Sequence, residues 1–310
     1  MGALTSSVPG SHRPQHYTRL LAATLLTASL IVSTILAQSG NRPLANSAGG
    51  VLVSVVAKRD DNPTTPITSK ELSVYDNGVE QSIRNFTPDP SPARIVLLVD
   101  NSLTLRADVD KLEQAAREFA YEIFEGDKLL IVGYDEKAEI VADWTDDAKA
   151  IEASLKLFRK KGQPYLFDAI RAVVTEALQP LQNQKRIIVV ISDGLDRGSK
   201  ATFDQTLAEL QTENIMVYAV QAVDRTRGAI RRDVPKPRVV IDKLAEGTGG
   251  QIFSIDHPSE AAKGICDELR KNRYVLSYVP SSAPFGQARS LLVLANQGIT
   301  VRAKSMQQPH

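Results

Sequence analysis

Residues 93–104 read ARIVLLVDNSLT, an unbroken apolar run from Ile95 to Val99 that closes on the polar cluster Asp100-Asn101-Ser102-Leu103-Thr104. A continuous apolar run of this length predicts a strand covered on both faces, which calls for a parallel sheet with helices above and below. The same design recurs at 186–196, RIIVVISDGLD, and two further apolar runs stand at 128–134 (KLLIVGY) and 215–220 (IMVYAV). Between them come amphipathic patterns. Leu112, Ala115, Ala116, Phe119, Ala120 and Ile123 keep helical spacing within 105–124, and helices are predicted over 147–158, 165–178, 202–212, 239–248 and 258–270. Residues 138–144 can pair back on the 128–134 strand, and a short strand is expected at 251–254. Strands alternating with helices give an α/β fold: a doubly wound, mostly parallel sheet with helices on both faces.

Outside this region the pattern is β-like. Strand candidates lie at 51–56, 72–75 and 79–86, the last two joined by the hairpin signal Asp76-Asn77-Gly78. Pro88, Pro90 and Pro92 then interrupt the chain. Further strands are expected at 274–279, 290–294 and 300–303. Three short strands cannot sustain a core alone. The N- and C-terminal sets are therefore expected to pair in a small β-sandwich into which the α/β domain is inserted.

The N-terminus reads as an address. Arg13 and Arg19 precede an uncharged apolar stretch over 20–37, and small residues follow near Ala37-Gln38-Ser39. That is the layout of a secretory signal. The stretch also approaches the ~20 residues that span a bilayer, so an N-terminal membrane anchor is the alternative. The expected organisation is a signal peptide or anchor at 1–38, a linker at 39–50, sandwich strands at 51–92, the α/β domain at 93–272, sandwich strands at 273–304 and a tail at 305–310. The protein is expected to be exported, whether periplasmic, secreted or anchored.

Composition narrows the function. A formal charge of +1 gives no global attraction to nucleic acid. Cys266 is the only cysteine, so an intrachain disulfide and a multi-cysteine metal site are both excluded. The four histidines, His12, His16, His257 and His310, are too few and too scattered for an all-histidine cage or an evident Ser–His–Asp triad.

In a doubly wound sheet, ligands bind beyond the carboxyl ends of the strands. Asp100, Ser102 and Thr104 end one strand, and Ser192, Asp193 and Asp196 end another. An all-oxygen set of this kind suits Mg²⁺ or Mn²⁺. The bland alternative is that Asp100 and its hydroxyl neighbours only cap local backbone. The same reading leaves Trp144 and Tyr134 as packing residues and Cys266 as a small buried one.

These motifs resemble the von Willebrand factor type A family. Its metal-ion-dependent adhesion site uses Asp-x-Ser-x-Ser after the first strand, a Thr from a middle loop and a later Asp. Asp100, Ser102 and Thr104 match the first element and Asp193 the last. Gly162-Gln163-Pro164-Tyr165-Leu166-Phe167-Asp168-Ala169-Ile170 matches the middle loop, with Pro164 in the Thr position and so without a side-chain oxygen. With residues 51–86 and Tyr274-Val275-Leu276-Ser277-Tyr278, the likeness extends to a bacterial group of exported proteins related to the family. The resemblance implies a binding or adhesion module, not an enzyme, that meets a protein partner through an acidic side chain. Alternatives are a metal-free scaffold, which Pro164 favours, and a Mg²⁺-dependent phosphatase of the haloacid dehalogenase type. The latter is disfavoured because Ser102 stands where that family needs an acid/base Asp. The basic stretch 225–238, with Arg225, Arg227, Arg231 and Arg232, is expected to form a rim that attracts the acidic partner, or else a solvated loop.

Overall fold

A computed structural model of the chain describes residues 50–60, 65–105, 107, 109–156, 158–222, 236–281 and 286–309. All of them fall in the unit Ser39–His310, the second of the chain's two units after Met1–Gln38. In chain order the elements begin with β1 (Val51–Arg59), β2 (Leu72–Asp76), β3 (Val79–Gln81), β4 (Ile83–Pro88) and β5 (Ala93–Asp100). Next come α1 (Val109–Glu122), β6 (Lys128–Tyr134), β7 (Ala138–Thr145), α2 (Ala148–Leu155), α3 (Leu166–Ala172) and β8 (Lys185–Ser192). Then follow α4 (Phe203–Thr212), β9 (Met216–Gln221), α5 (Pro237–Thr248), β10 (Ile252–Ser254) and α6 (Pro258–Lys271). The chain closes with β11 (Arg273–Tyr278), β12 (Arg289–Ala295), β13 (Ile299–Ala303) and β14 (Met306–Gln307).

The apolar runs form the centre of a six-stranded sheet in the order β10-β9-β8-β5-β6-β7. All neighbours are parallel except the edge strand β7, which turns back on β6. Alternation along β5 divides its side chains between two cores. Ile95, Leu97 and Val99 pack with Leu112 and Phe119 of α1, Ile151 of α2 and Ile265 of α6. Val96 and Leu98 pack with Ile170 of α3, Leu210 of α4 and Leu244 of α5. This is the doubly wound α/β fold that the apolar runs predict.

Strands from both ends of the chain build two antiparallel sheets, β13-β1-β11-β4 and β14-β12-β2-β3. Val53, Val55 and Leu276 of one and Val74, Leu291 and Val293 of the other share a single core. The Asp76–Gly78 hairpin turns through Asn77 (φ 51°) and Gly78 (φ 82°), the left-handed pair that a tight two-residue turn requires. Inside, Tyr278 donates to Asp76 Oδ2 at 2.7 Å. Arg289 Nε lies 3.1 Å from Asp76 Oδ1, an ion pair without hydrogen-bond alignment.

Several elements depart from their expected limits. The strand expected over 79–86 is two strands, because the chain leaves β2 after Gln81 and crosses to β11 in the opposite sheet. Period-two alternation cannot report such a change of sheet. Helix α1 starts at Val109, not at 105. Lys160 Nζ reaches the carbonyls of both Leu105 and Ala107, which satisfies them outside a helix. The helix expected over 165–178 is α-helical to Ala172 and continues as π-helix over Val173–Leu178. Strand β14 had no sequence signal. The apolar stretch at 20–37 lies outside the described residues, and no helix among the described residues is long and apolar enough to cross a membrane.

The sandwich and the α/β region meet along a polar seam. Ser305 N donates to Gly247 O at 3.1 Å and Asn214 Nδ2 to Ser54 Oγ at 3.1 Å, while within the α/β region Gln211 Nε2 donates to the same Gly247 carbonyl at 2.8 Å. Gly249 closes α5 at φ 87°, and a Cβ there would sit 2.8 Å from the Ala303 backbone. Glycine is therefore needed both for the turn and for the close approach. Lys304 crosses the seam buried, with Nζ donating to Gln211 O at 2.9 Å.

Burial pulls the Lys304 ammonium down from 10.5 to about 8. A lysine whose value falls on folding binds protons less well in the folded state. Stability therefore rises as pH climbs from about 8 towards 10.5. The shift corresponds to roughly 2–4 kcal/mol. Lys304→Met is expected to raise stability at pH 7 and to flatten urea-denaturation stability across that window. An unchanged pH profile would refute the assignment.

Candidate functional site

Strand register gathers the carboxyl ends of β5, β6 and β8. Asp100 lies opposite Tyr134 of β6, and Val99 lies opposite Ile191 of β8, which brings Ser192 alongside. Alternation puts Asp100 on the same face as Val96 and Leu98, Tyr134 on that of Leu130 and Val132, and Ser192 on that of Ile188 and Val190. The three polar groups therefore cap one apolar core, the one covered by α3, α4 and α5.

Asp100 is fully buried at 0% exposure. Its Oδ1 accepts from Ser102 N at 2.9 Å, and its Oδ2 lies 3.1 Å from Ser192 Oγ and 3.2 Å from the Tyr134 hydroxyl. Tyr134 and Ser192 are 2.9 Å apart, and Gly194 N donates to Ser192 Oγ at 2.9 Å. Burial raises the Asp100 carboxyl above its ordinary value, and the donors from Ser102, Ser192 and Tyr134 offset part of that. Burial, and then the charge of Asp100, pushes the Tyr134 phenol well up, so it stays a neutral donor.

Beyond the strand end, the Ser102 and Thr104 hydroxyls stand 3.0 Å apart. Asp193 is buried in the parallel turn, and its Oδ1 accepts from Leu195 N at 2.9 Å. Gly194 follows at φ 84°. Its absent side chain lets α5 approach, since a Cβ there would lie 2.4 Å from Pro237 O. Between Ser102 and Thr104, Leu103 is 66% exposed.

The middle loop is tied to both strand-end loops. Leu103 N donates to Gly162 O at 3.2 Å, Lys161 N to Asn101 O at 2.8 Å, and Arg197 N to Pro164 O at 2.8 Å. Pro164 thus sits beside the 193–197 turn, as a Thr ligand would need to, but brings no side-chain oxygen. Two carboxylates lock this junction reciprocally. Asp168 accepts from Lys200 N and Ala201 N, each at 2.9 Å, and Asp196 accepts from Phe167 N at 3.2 Å and from Ser199. Asp196, grouped by sequence with the strand-end oxygens, is held here as a brace of the loop. Burial raises its carboxyl above the ordinary value despite those donors.

Asp100, Ser102, Thr104 and Asp193 therefore all lie on the two strand-end turns. Arg225, Arg227, Arg231 and Arg232 lie outside the described residues. The loops still carry exposed cations, Lys161, Arg197 and Lys200, of which Lys161 pairs with Glu139 at 2.7 Å. Tyr134, which its sequence pattern marks only as a packing residue, brings a hydroxyl to the site. The available signal was a phenol ending an apolar strand one residue before an acidic turn.

The von Willebrand factor type A domain family matches residues 95–195. No curated protein matches the sequence. Among the solved structures that resemble this one, three illustrate the likeness. The first is an aerotolerance-related membrane protein from Bacteroides fragilis NCTC 9343 carrying multiple mutations to serine, with 17% identity, coverage of 58% of this chain and 99% of that one, and TM-score 0.45. The second is the conserved hypothetical protein BatB from Bacteroides thetaiotaomicron, with 17% identity, 58% and 98% coverage and TM-score 0.46. The third is a von Willebrand factor type A protein from Catenulispora acidiphila, with 10% identity, 84% and 74% coverage and TM-score 0.46.

Asp168→Ala strands two backbone donors and is expected to cost about 1–3 kcal/mol of stability, with Asp168→Asn losing less because one oxygen remains. Equal urea midpoints for wild type and Asp168→Ala would show that the clamp carries no energy.

Proposed function

We propose, from the von Willebrand factor type A domain at residues 95–195, that this is an exported binding module. It holds Mg²⁺ or Mn²⁺ at its strand-end turns and engages an acidic side chain of a protein partner. The observation that carries the reading is the 3.0 Å separation of the Ser102 and Thr104 hydroxyls on the turn that follows the buried Asp100 carboxylate, with Asp193 buried in the parallel turn. Adjacent ligands of an octahedral Mg²⁺ at about 2.1 Å lie roughly 3.0 Å apart, so the pair suits two neighbouring positions. Ser102 and Thr104 would hold the ion directly. Asp100 and Asp193 would supply the charge that makes neutral hydroxyls adequate ligands. When bound, the ion supplies a positive centre with exchangeable positions that an incoming carboxylate can fill.

The surroundings suit that partner. Leu103 offers an exposed apolar contact at the rim, and Arg197 and Lys200 supply positive potential on the facing loop. Both act at the surface, where charge steers encounter and an apolar contact slows release.

Burial argues against the phosphatase alternative. A nucleophilic carboxylate must reach its substrate, whereas both oxygens of Asp100 are turned to internal donors at 0% exposure. The metal-free scaffold keeps one observation in its favour, the missing oxygen at Pro164.

Calorimetric titration of Mn²⁺ and Mg²⁺ into the protein separates the two readings. Saturable binding is expected in the wild type, lost in the Asp100→Ala, Asp193→Ala double variant, and tighter in Pro164→Thr, which restores a side-chain oxygen. No saturable binding in wild type or Pro164→Thr would leave only the scaffold.

A further inference from the structure

We infer that Tyr134 is a positioning residue of this site: its hydroxyl fixes the Asp100 carboxylate, and through it the turn that carries Ser102. The positioning itself is a property of the metal-free protein, and its consequence for cation affinity rests on the binding reading above.

Packing alone does not call for a phenol here. The ring is buried among Val132, Leu166 and Phe167 in the core under α3, where phenylalanine would fill the same space. The hydroxyl is instead brought by strand register to Asp100, 3.2 Å from Oδ2 and 2.9 Å from Ser192 Oγ. A carboxylate at 0% exposure cannot be left unpaired without a penalty of several kcal/mol. Tyr134 and Ser192 hold one oxygen on the inner side while Ser102 N holds the other. With both oxygens held, rotation of the carboxylate is blocked and the Ser102 amide is fixed in turn.

Two neighbouring backbone bonds, which do not involve the phenol, hold the turn on either side of Ser102. Asn101 N donates to Tyr134 O at 3.0 Å, and Leu103 N donates to Gly162 O at 3.2 Å. The Ser102–Thr104 pair is thus shaped by protein groups before a cation arrives, so less ordering remains to oppose binding. Groups that orient metal ligands from behind typically contribute 10–100-fold in metal affinity; Tyr134 acts one step further back, through Asp100, so the low end of that range applies.

The test compares wild type with Tyr134→Phe, which retains the ring and removes only the oxygen. Amide hydrogen exchange is followed in the full chain with EDTA, over residues 101–105 and, as an internal reference, over residues 94–98. Mn²⁺ titration follows on the same samples. Exchange over 101–105 is expected to quicken about tenfold or more while 94–98 keeps its protection, and the Mn²⁺ Kd is expected to rise about tenfold. Unchanged exchange over 101–105 overturns the inference whether or not the protein binds Mn²⁺. A parallel rise over 94–98 also overturns it, because the phenol then supports only global stability. Selective loosening of 101–105 in a wild type that binds no Mn²⁺ sustains the positioning role and defeats the cation-binding reading instead.

Discussion

Asp100 ends a strand flanked on both sides by other strands, and its carboxylate is buried to 0% exposure. A charge in that position must be met by donors, and the strand ends around it are built to supply them. Ser102 N comes from its own turn, Ser192 from the neighbouring strand on one side and Tyr134 from the other. Ser192 and Tyr134 are delivered by the register of the parallel sheet, so the site depends on the same hydrogen-bond ladder that defines the fold. Those donors are neutral, so they hold the carboxylate without cancelling its negative charge. A cluster with uncancelled charge, fully hydrogen-bonded and rigid, suits a divalent cation whose ligands must not have to be ordered first.

The rest of the molecule presents that edge. The sandwich is made from both ends of the chain and joins the α/β region through Lys304, Gln211, Gly247 and Gly249, remote in sequence from the strand-end turns. The loops around the site are held by reciprocal clamps, Asp168 to the 200–201 backbone and Asp196 to the start of α3. Exposed Leu103 rises from this fixed base. A fixed frame with one exposed apolar side chain and a polar centre is what recognition asks for, since little ordering opposes association.

Much of this was legible in the sequence because burial on both faces leaves continuous apolar runs. Residues 95–99 and 186–191 declared central parallel strands, and their polar ends declared the place of the site. The turn pattern singles out Asp100, Ser102, Thr104 and Asp193 as candidates, and the family resemblance singles out Pro164 in the middle loop. What the sequence hid depends on pairing across distance. Tyr134 looks like any aromatic residue in an apolar strand until the register sets it opposite Asp100. Asp196 reads as one more oxygen of the strand end until α3 comes beside it and takes it as a brace. The break between β3 and β4 is invisible to alternation because both halves keep the same period while joining different sheets. The late start of α1 depends on Lys160, more than fifty residues downstream, which holds the carbonyls of Leu105 and Ala107.

The most direct test is a crystal of the protein soaked in Mn²⁺, with anomalous scattering used to locate the ion. The account predicts a single strong peak within about 2.3 Å of both Ser102 Oγ and Thr104 Oγ1, with Asp100 still turned to Tyr134 and Ser192. Full occupancy elsewhere with nothing between those two hydroxyls, or a peak bonded directly to a reoriented Asp100, would contradict it.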